Sequence, residues 1–131
     1  MKKFSEILSE SVNARSFRTD YPNMVIFNSK SLGIKDVPVD KIVGLSRNEE
    51  FDSNFKPKNP NNLKFLNALE LFKNNNNNLD STIKTSPIVL IFVDGKYYVD
   101  SDGNHRVAAA KALKIEKIKA LVHKVIKLKK Y

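Results

Sequence analysis

The stretch from Pro87 to Leu113 limits the fold more than any other part of this sequence. Ile88-Val89-Leu90-Ile91-Phe92-Val93 is an unbroken apolar run, the pattern of a strand buried on both faces. Asp94-Gly95 is a hairpin signal, so Lys96-Tyr97-Tyr98-Val99-Asp100 reads as the returning strand. Ser101-Asp102-Gly103 breaks that strand. Asn104 to Leu113, with Ala108, Ala109, Ala110 and Ala112, then reads as a helix. A strand, a hairpin, a strand and a close-packing helix in this order describe a sheet with a helix laid against it.

The remaining segments extend that unit. Phe4, Ile7, Leu8 and Val12 recur at helical spacing and predict a helix over residues 2–15, which the polar Ser16 to Asn23 segment ends. Val25-Ile26-Phe27 is a short candidate edge strand. Val37 to Val43 alternates apolar and polar residues and predicts a strand with a proline near its start. Arg47 to Asn62 reads as a long loop. Leu63, Phe65, Leu66, Leu69 and Phe72 predict a second helix over residues 62–73. It runs into the asparagines Asn74 to Asn78, read as a mobile surface loop of no function. Ile118 to Val125 reads as a final strand, because β-branched residues outweigh the alternative of a continued helix.

At 131 residues the chain is expected to form one domain, with residues 1–35 as a helix and lead-in and 36–131 as the main unit. There is no cysteine, which excludes disulfides, thiolate metal ligands and a cysteine nucleophile. The N-terminus lacks the apolar run of a signal peptide, and no stretch approaches a membrane span, so a cytoplasmic location is expected. The net charge of +9 is one-sided. Residues 103–131 carry nine basic groups and one acid, Glu116, whereas the preceding 102 residues are nearly balanced. Such a field attracts polyanions. Lys124, Lys127 and Lys129 are the candidate contacts to nucleic acid, and no membrane partner is expected.

Chemistry concentrates at Asp102-Gly103-Asn104-His105-Arg106. Asp102 is placed to cap the helix, and Gly103 to adopt the positive φ of a tight turn. The first N–H groups of a helix lack partners within it, and its dipole makes that end positive. A phosphate there meets backbone donors, with His105 and Arg106 adding side-chain donors. His123, on the final strand, reads as a packed or surface residue.

The segment Tyr97 to Ala110 resembles the core motif of the ParB/sulfiredoxin superfamily, in which a strand ending in "DGHHR" or "GERR" precedes an alanine-rich helix. Ile118-Lys119-Ala120-Leu121-Val122 is similar to the family's closing strand. Val37 to Ile42 resembles its opening strand, and Arg47 to Asp52 its "R-x-x-F-D" loop. The resemblance covers residues 36–125 and implies an α+β fold, a small mixed sheet flanked by helices. It also implies that the Arg47–Asp52 loop approaches the turn. Glu49, Glu50 and Asp52 then become candidates for a base or magnesium ligand beside His105, and Arg47 joins Asp102, Gly103, Asn104, His105 and Arg106 as a candidate phosphate contact. Asn104 stands where sulfiredoxins carry their reactive cysteine, so that activity is not expected. No helix-turn-helix domain follows, so a complete partition protein is not expected either.

The implied functions remain three: a DNA-associated ParB-like module or nuclease, a nucleotide-dependent kinase of the free-serine type, and an inactive nucleotide-binding module. The cofactors they call for are a nucleoside di- or triphosphate and Mg2+. No dedicated protein metal site is expected.

Overall fold

A computed structural model describes residues 12–75 and 86–131. Its centre is a five-stranded mixed sheet in the order β1-β5-β3-β4-β2. The strands are β1 (Met24–Pro38), β2 (Ile42–Gly44), β3 (Val89–Val93), β4 (Lys96–Val99) and β5 (Lys117–Lys130). β3 pairs antiparallel with β4 and parallel with β5, β2 lies parallel to β4, and β1 runs antiparallel to β5. The described residues form three α-helices: α1 (Phe17–Asp20), α2 (Leu63–Asn74) and α3 (Asn104–Ala112). The architecture is α+β, a single domain with helices flanking a small mixed sheet.

The apolar run of β3 is buried from both sides, as its composition requires. On one face Leu90 joins Val99, Ile118, Ala120 and Val122, under Phe65, Ala68 and Phe72 of α2 and Val107 to Ala110 of α3. The alanines let α3 lie close against the strands. On the other face Ile91, Val93 and Tyr98 pack against Phe17, Tyr21, Val125 and Leu128. The α1 segment is pinned there by polar bonds as well, since Tyr98 donates to Asp20, whose carboxylate also accepts from Arg15 at 2.6 Å. Asp94 and Gly95 form the hairpin turn, both with positive φ (52° and 79°), as the type I′ geometry requires.

The structure corrects several expectations. Residues 12–15, the end of the expected first helix, are not helical, and Asn13 bridges Asp52 instead; the rest of that helix lies outside the described residues. The Ser16–Asn23 segment holds the one-turn helix α1, capped by Ser16, whose side chain accepts from the Thr19 N–H. Val25-Ile26-Phe27, expected as a short edge strand, belongs to a 15-residue edge strand, Met24–Pro38. Val37 to Val43 is not one strand: β1 ends at Pro38, Val39–Lys41 form a 3-10 turn, and β2 begins at Ile42. β5 runs past the expected end at Val125, to Lys130. Asn74 and Asn75 end α2, and the remaining asparagines of that run lie outside the described residues. No helix of the described residues is long and apolar enough to cross a membrane.

Candidate functional site

The turn after β4 is held by the sheet itself. Asp100 N–H donates to Val89 O and Val89 N–H to Asp102 O, both at 3.0 Å, so backbone pairing with β3 carries the chain to the start of α3. Gly103 then turns it, with φ 115° and ψ 5°. Val107 N–H makes the first helical bond, to Gly103 O at 2.8 Å. The N–H groups of Asn104, His105 and Arg106 therefore have no partner within α3.

Asp102 was expected to cap this helix, but the cap falls one residue later, on Gly103, and no side chain fills it. The Asp102 carboxylate instead accepts from the Ser86 hydroxyl at 3.0 Å and stands 3.7 Å from the Arg106 guanidinium. Arg106 Nη1 donates to Ser86 O at 2.5 Å. Burial pulls the Arg106 guanidinium below its ordinary pKa, with the Asp102 charge opposing, yet the group stays cationic. Among the described residues its hydrogen-bond partner is Ser86 O, which takes one of its five N–H donors.

Asn104 is turned inward. It is 3% exposed. Its Oδ1 accepts from the backbone N–H groups of Ser46 and Arg47 at 2.8 and 3.1 Å, and its Nδ2 donates to Ser46 Oγ at 2.9 Å. Asn104 thus fastens the loop after β2 to the helix start, and its side chain is not free to bind a phosphate. The signal was present in the sequence: residue 104 lies one turn before Ala108, on the helix face that α3 buries.

The same loop delivers Glu50. His105 Nε2 lies 3.1 Å from Glu50 Oε1. An ionised carboxylate only accepts, so Nε2 carries the hydrogen of this contact. Asn62, whose Oδ1 caps α2 through Phe65 N–H, also donates to Glu50 Oε1, at 3.3 Å. Arg47 Nη1 stands 3.8 Å from the other carboxylate oxygen. Burial would raise the Glu50 carboxyl, but the bonds from His105 and Asn62 and the neighbouring charges outweigh it and hold the group below its ordinary value.

Glu49 and Asp52 do not join this pair. Glu49 lines a separate cleft of about 430 Å3 with Phe17, Arg18 and Asp100. Asp52 Oδ1 accepts from Asn54 and Lys56 N–H and is occupied in holding its own turn. The expectation of three acids around His105 is corrected to one. A 3-10 turn at Asn48–Glu50 sends neighbouring side chains in different directions, so adjacent acids diverge. Among the described residues no three His, Asp or Glu side chains gather as metal ligands, and the acids offered for Mg2+ do not form a set that fits it.

Beside the turn is a cleft of about 360 Å3 lined by Lys64, Asn67, Ala68 and Leu71 of α2 and by Asp102, Gly103, His105 and Arg106. Lys64 was missed in the sequence, where it reads as an outward helix lysine. Packing of α2 on α3 brings it opposite Arg106. A larger groove, about 710 Å3, lies at the other end of α3, among Lys111, Lys114 and Lys117. It meets the helix C-terminus, the end that disfavours anions. Lys124, Lys127 and Lys129 are elsewhere again: Lys124 is the last residue of β5 paired with β3, and Lys127 and Lys129 lie beyond it, where β5 pairs with β1 alone.

One test of the Glu50 contact is acid stability. A carboxyl depressed on folding contributes stability above its unfolded pKa, and that contribution is lost as pH falls through the folded value. Urea midpoints between pH 7 and 3 should therefore fall less steeply for Glu50→Gln than for the wild type. Superimposable pH profiles would show that the contact carries no linkage.

No family model matches this chain, and no curated protein does. Among solved structures it is similar to sulfiredoxin from Arabidopsis thaliana, at 26% identity over 70% of this chain and 84% of that one, with a TM-score of 0.45.

Proposed function

We propose that this chain is a phosphate-binding domain of the ParB-like type, and that its cleft between α2 and the start of α3 takes the phosphates of a nucleotide. The observation that carries this reading is the meeting of three anion-seeking features in one cleft. These are the open N-terminus of α3, the Arg106 guanidinium and the Lys64 ammonium. Asp102 offsets one positive charge, and its partners Ser86 and Arg106 hold it in place. The cleft volume is near the lower end for small-molecule sites, and Ala68 and Leu71 give it an apolar wall against which a base or sugar can rest.

The test is calorimetric titration with ATP, ADP, CTP and GTP, with and without magnesium. Arg106→Ala should weaken the ligand that binds by about 1.5–3 kcal/mol, the worth of a hydrogen bond to a charged group. Lys64→Ala should weaken it less, since a flexible ammonium is a poorer phosphate clamp than a held guanidinium. Wild-type affinity in Arg106→Ala would remove the assignment.

A second reading is favoured by the His105–Glu50 contact at 3.1 Å. A carboxylate that fixes the tautomer of a ring beside a phosphate cleft is the arrangement of an acid–base pair. It suits phosphodiester cleavage or phosphoryl transfer. If either activity is found, His105→Ala should abolish it while nucleotide binding survives. Association with nucleic acid, through the lysines of β5, is the remaining part of the proposal.

A further inference from the structure

We infer that the projecting half of the β1–β5 pair is a docking surface for single-stranded nucleic acid, with Phe27 as the residue on which a base stacks. This rests on the nucleic-acid part of the proposed function and names the form of the partner. β3 accompanies β5 only from Leu121 to Lys124, and β5 then continues to Lys130 with β1 as its only partner. The projection runs past the Phe92 end of β3, the end opposite the turn at Asp102. One face of it is packed, through Ile26, Val125 and Leu128 against the core.

The other face has an unusual make-up. The pairing slips by one residue on each strand in succession, between Ile26 and Asn28 and again between Asn28 and Ser29. These adjacent bulges make Phe27 and Ile126 the extra residues, and both stand out in solvent, 57% and 53% exposed. A bulge re-aims a side chain. Here two of them turn an aromatic and an aliphatic group outward, where burial would have stabilised the fold. Around them are lysines: Lys30 lies directly across from Lys124, and the ammonium groups of Lys129 and Lys127 sit 4.3 and 5.4 Å from the Phe27 ring centroid. Neither residues 24–35 nor residues 120–131 contain an acid.

Like charges set directly opposite each other weaken a strand pair, so Lys30 and Lys124 are a liability that a polyanion relieves. A second copy of this surface would be repelled. An anionic membrane is a poorer fit, because interfacial anchoring needs a broad apolar face, and the exposed apolar side chains here, Val25, Phe27 and Ile126, are interrupted by Lys30, Lys124, Lys127 and Lys129. A duplex offers its bases only through the grooves, where arginine is the commonest specific reader, and neither β1 nor β5 contains an arginine. A single strand presents both an open base face for Phe27 and phosphates for the lysines, the combination of known stacking platforms.

The experiment is fluorescence anisotropy of the full chain with labelled oligo-dT, a duplex of equal length, and, by flotation, vesicles containing phosphatidylserine. Oligo-dT should bind tightest, with log K falling as log salt rises by about 0.7 per phosphate neutralised. Phe27→Ala should weaken it about 5- to 100-fold. Phe27→Trp should retain or improve it, and circular dichroism should show all variants folded. Duplex bound more tightly than oligo-dT, or Phe27→Ala binding as well as wild type, overturns this inference while leaving nucleic-acid association in place. Binding of neither nucleic acid at low salt overturns both, and vesicle binding without nucleic-acid binding assigns the surface to membranes instead.

Discussion

Replacing Asn104 by alanine should lower the stability of this protein by about 2–4 kcal/mol, mostly because two backbone donors lose their acceptor. Each unsatisfied buried donor costs about 1–3 kcal/mol, and water entering from the exposed side of Ser46 and Arg47 recovers part of that. The amide is well chosen for its place. Two N–H groups from the loop require an oxygen, while Ser46 Oγ accepts the hydrogen of the nitrogen, so the orientation of the amide is fixed by its partners. Ser46→Ala keeps its backbone donor and should cost much less, about 1 kcal/mol. The loop that Asn104 fastens also brings Glu50 to His105, so the acid-stability difference between the wild type and Glu50→Gln should shrink in the Asn104→Ala background. Chemical denaturation of the four single and double variants measures both effects. Equal losses for Asn104→Ala and Ser46→Ala would refute the fastening role.

The sheet core and the turn were legible in the sequence because their signals are local. An apolar run, an Asp-Gly hairpin and an alanine-rich helix each specify structure within a dozen residues. β1 was not legible over its full length. Asn28-Ser29-Lys30-Ser31 has no apolar alternation, because this edge strand extends beyond the core and is held there mainly by backbone bonds to β5. The two bulges also break the period of two on which a strand is recognised. At the site, the strand, the turn at Gly103 and the helix start at Asn104 could be read from the residues alone. Which acid meets His105 could not, since Glu49, Glu50 and Asp52 are chemically alike in sequence and only the direction of a 3-10 turn and the Asn62 bond select Glu50. Lys64 depends on the packing of two helices distant in the chain, Leu63–Asn74 and Asn104–Ala112, a relation that no periodicity contains.

Gly103→Ala should cost about 3–5 kcal/mol, from two sources that can be measured apart. The first is backbone strain: φ of 115° lies beyond the region that L residues visit easily, and holding an alanine there costs about 1–3 kcal/mol. The second is overlap. A Cβ on residue 103 would sit 2.7 Å from Ile88 Cγ2 and 3.1 Å from its Cβ and Cγ1. Ile88 is 1% exposed and cannot swing away, so overpacking adds about 1–3 kcal/mol more. Ile88→Leu removes the branch methyl that Cβ would strike while keeping the side-chain volume, at a cost of its own below about 1.5 kcal/mol. In the Ile88→Leu background Gly103→Ala should therefore cost about 1–2 kcal/mol less than in the wild type, the overlap share of the total. The strain share should remain. It bears on the proposed function too, because any relaxation of residue 103 moves the N–H groups of Asn104, His105 and Arg106 at the cleft proposed to take phosphate. Nucleotide affinity should fall in Gly103→Ala even at temperatures where the variant is fully folded. Strictly additive losses in the double variant would mean that Ile88 does not press on the turn, and the rigidity ascribed to the site would have to come from the backbone pairing with β3 alone.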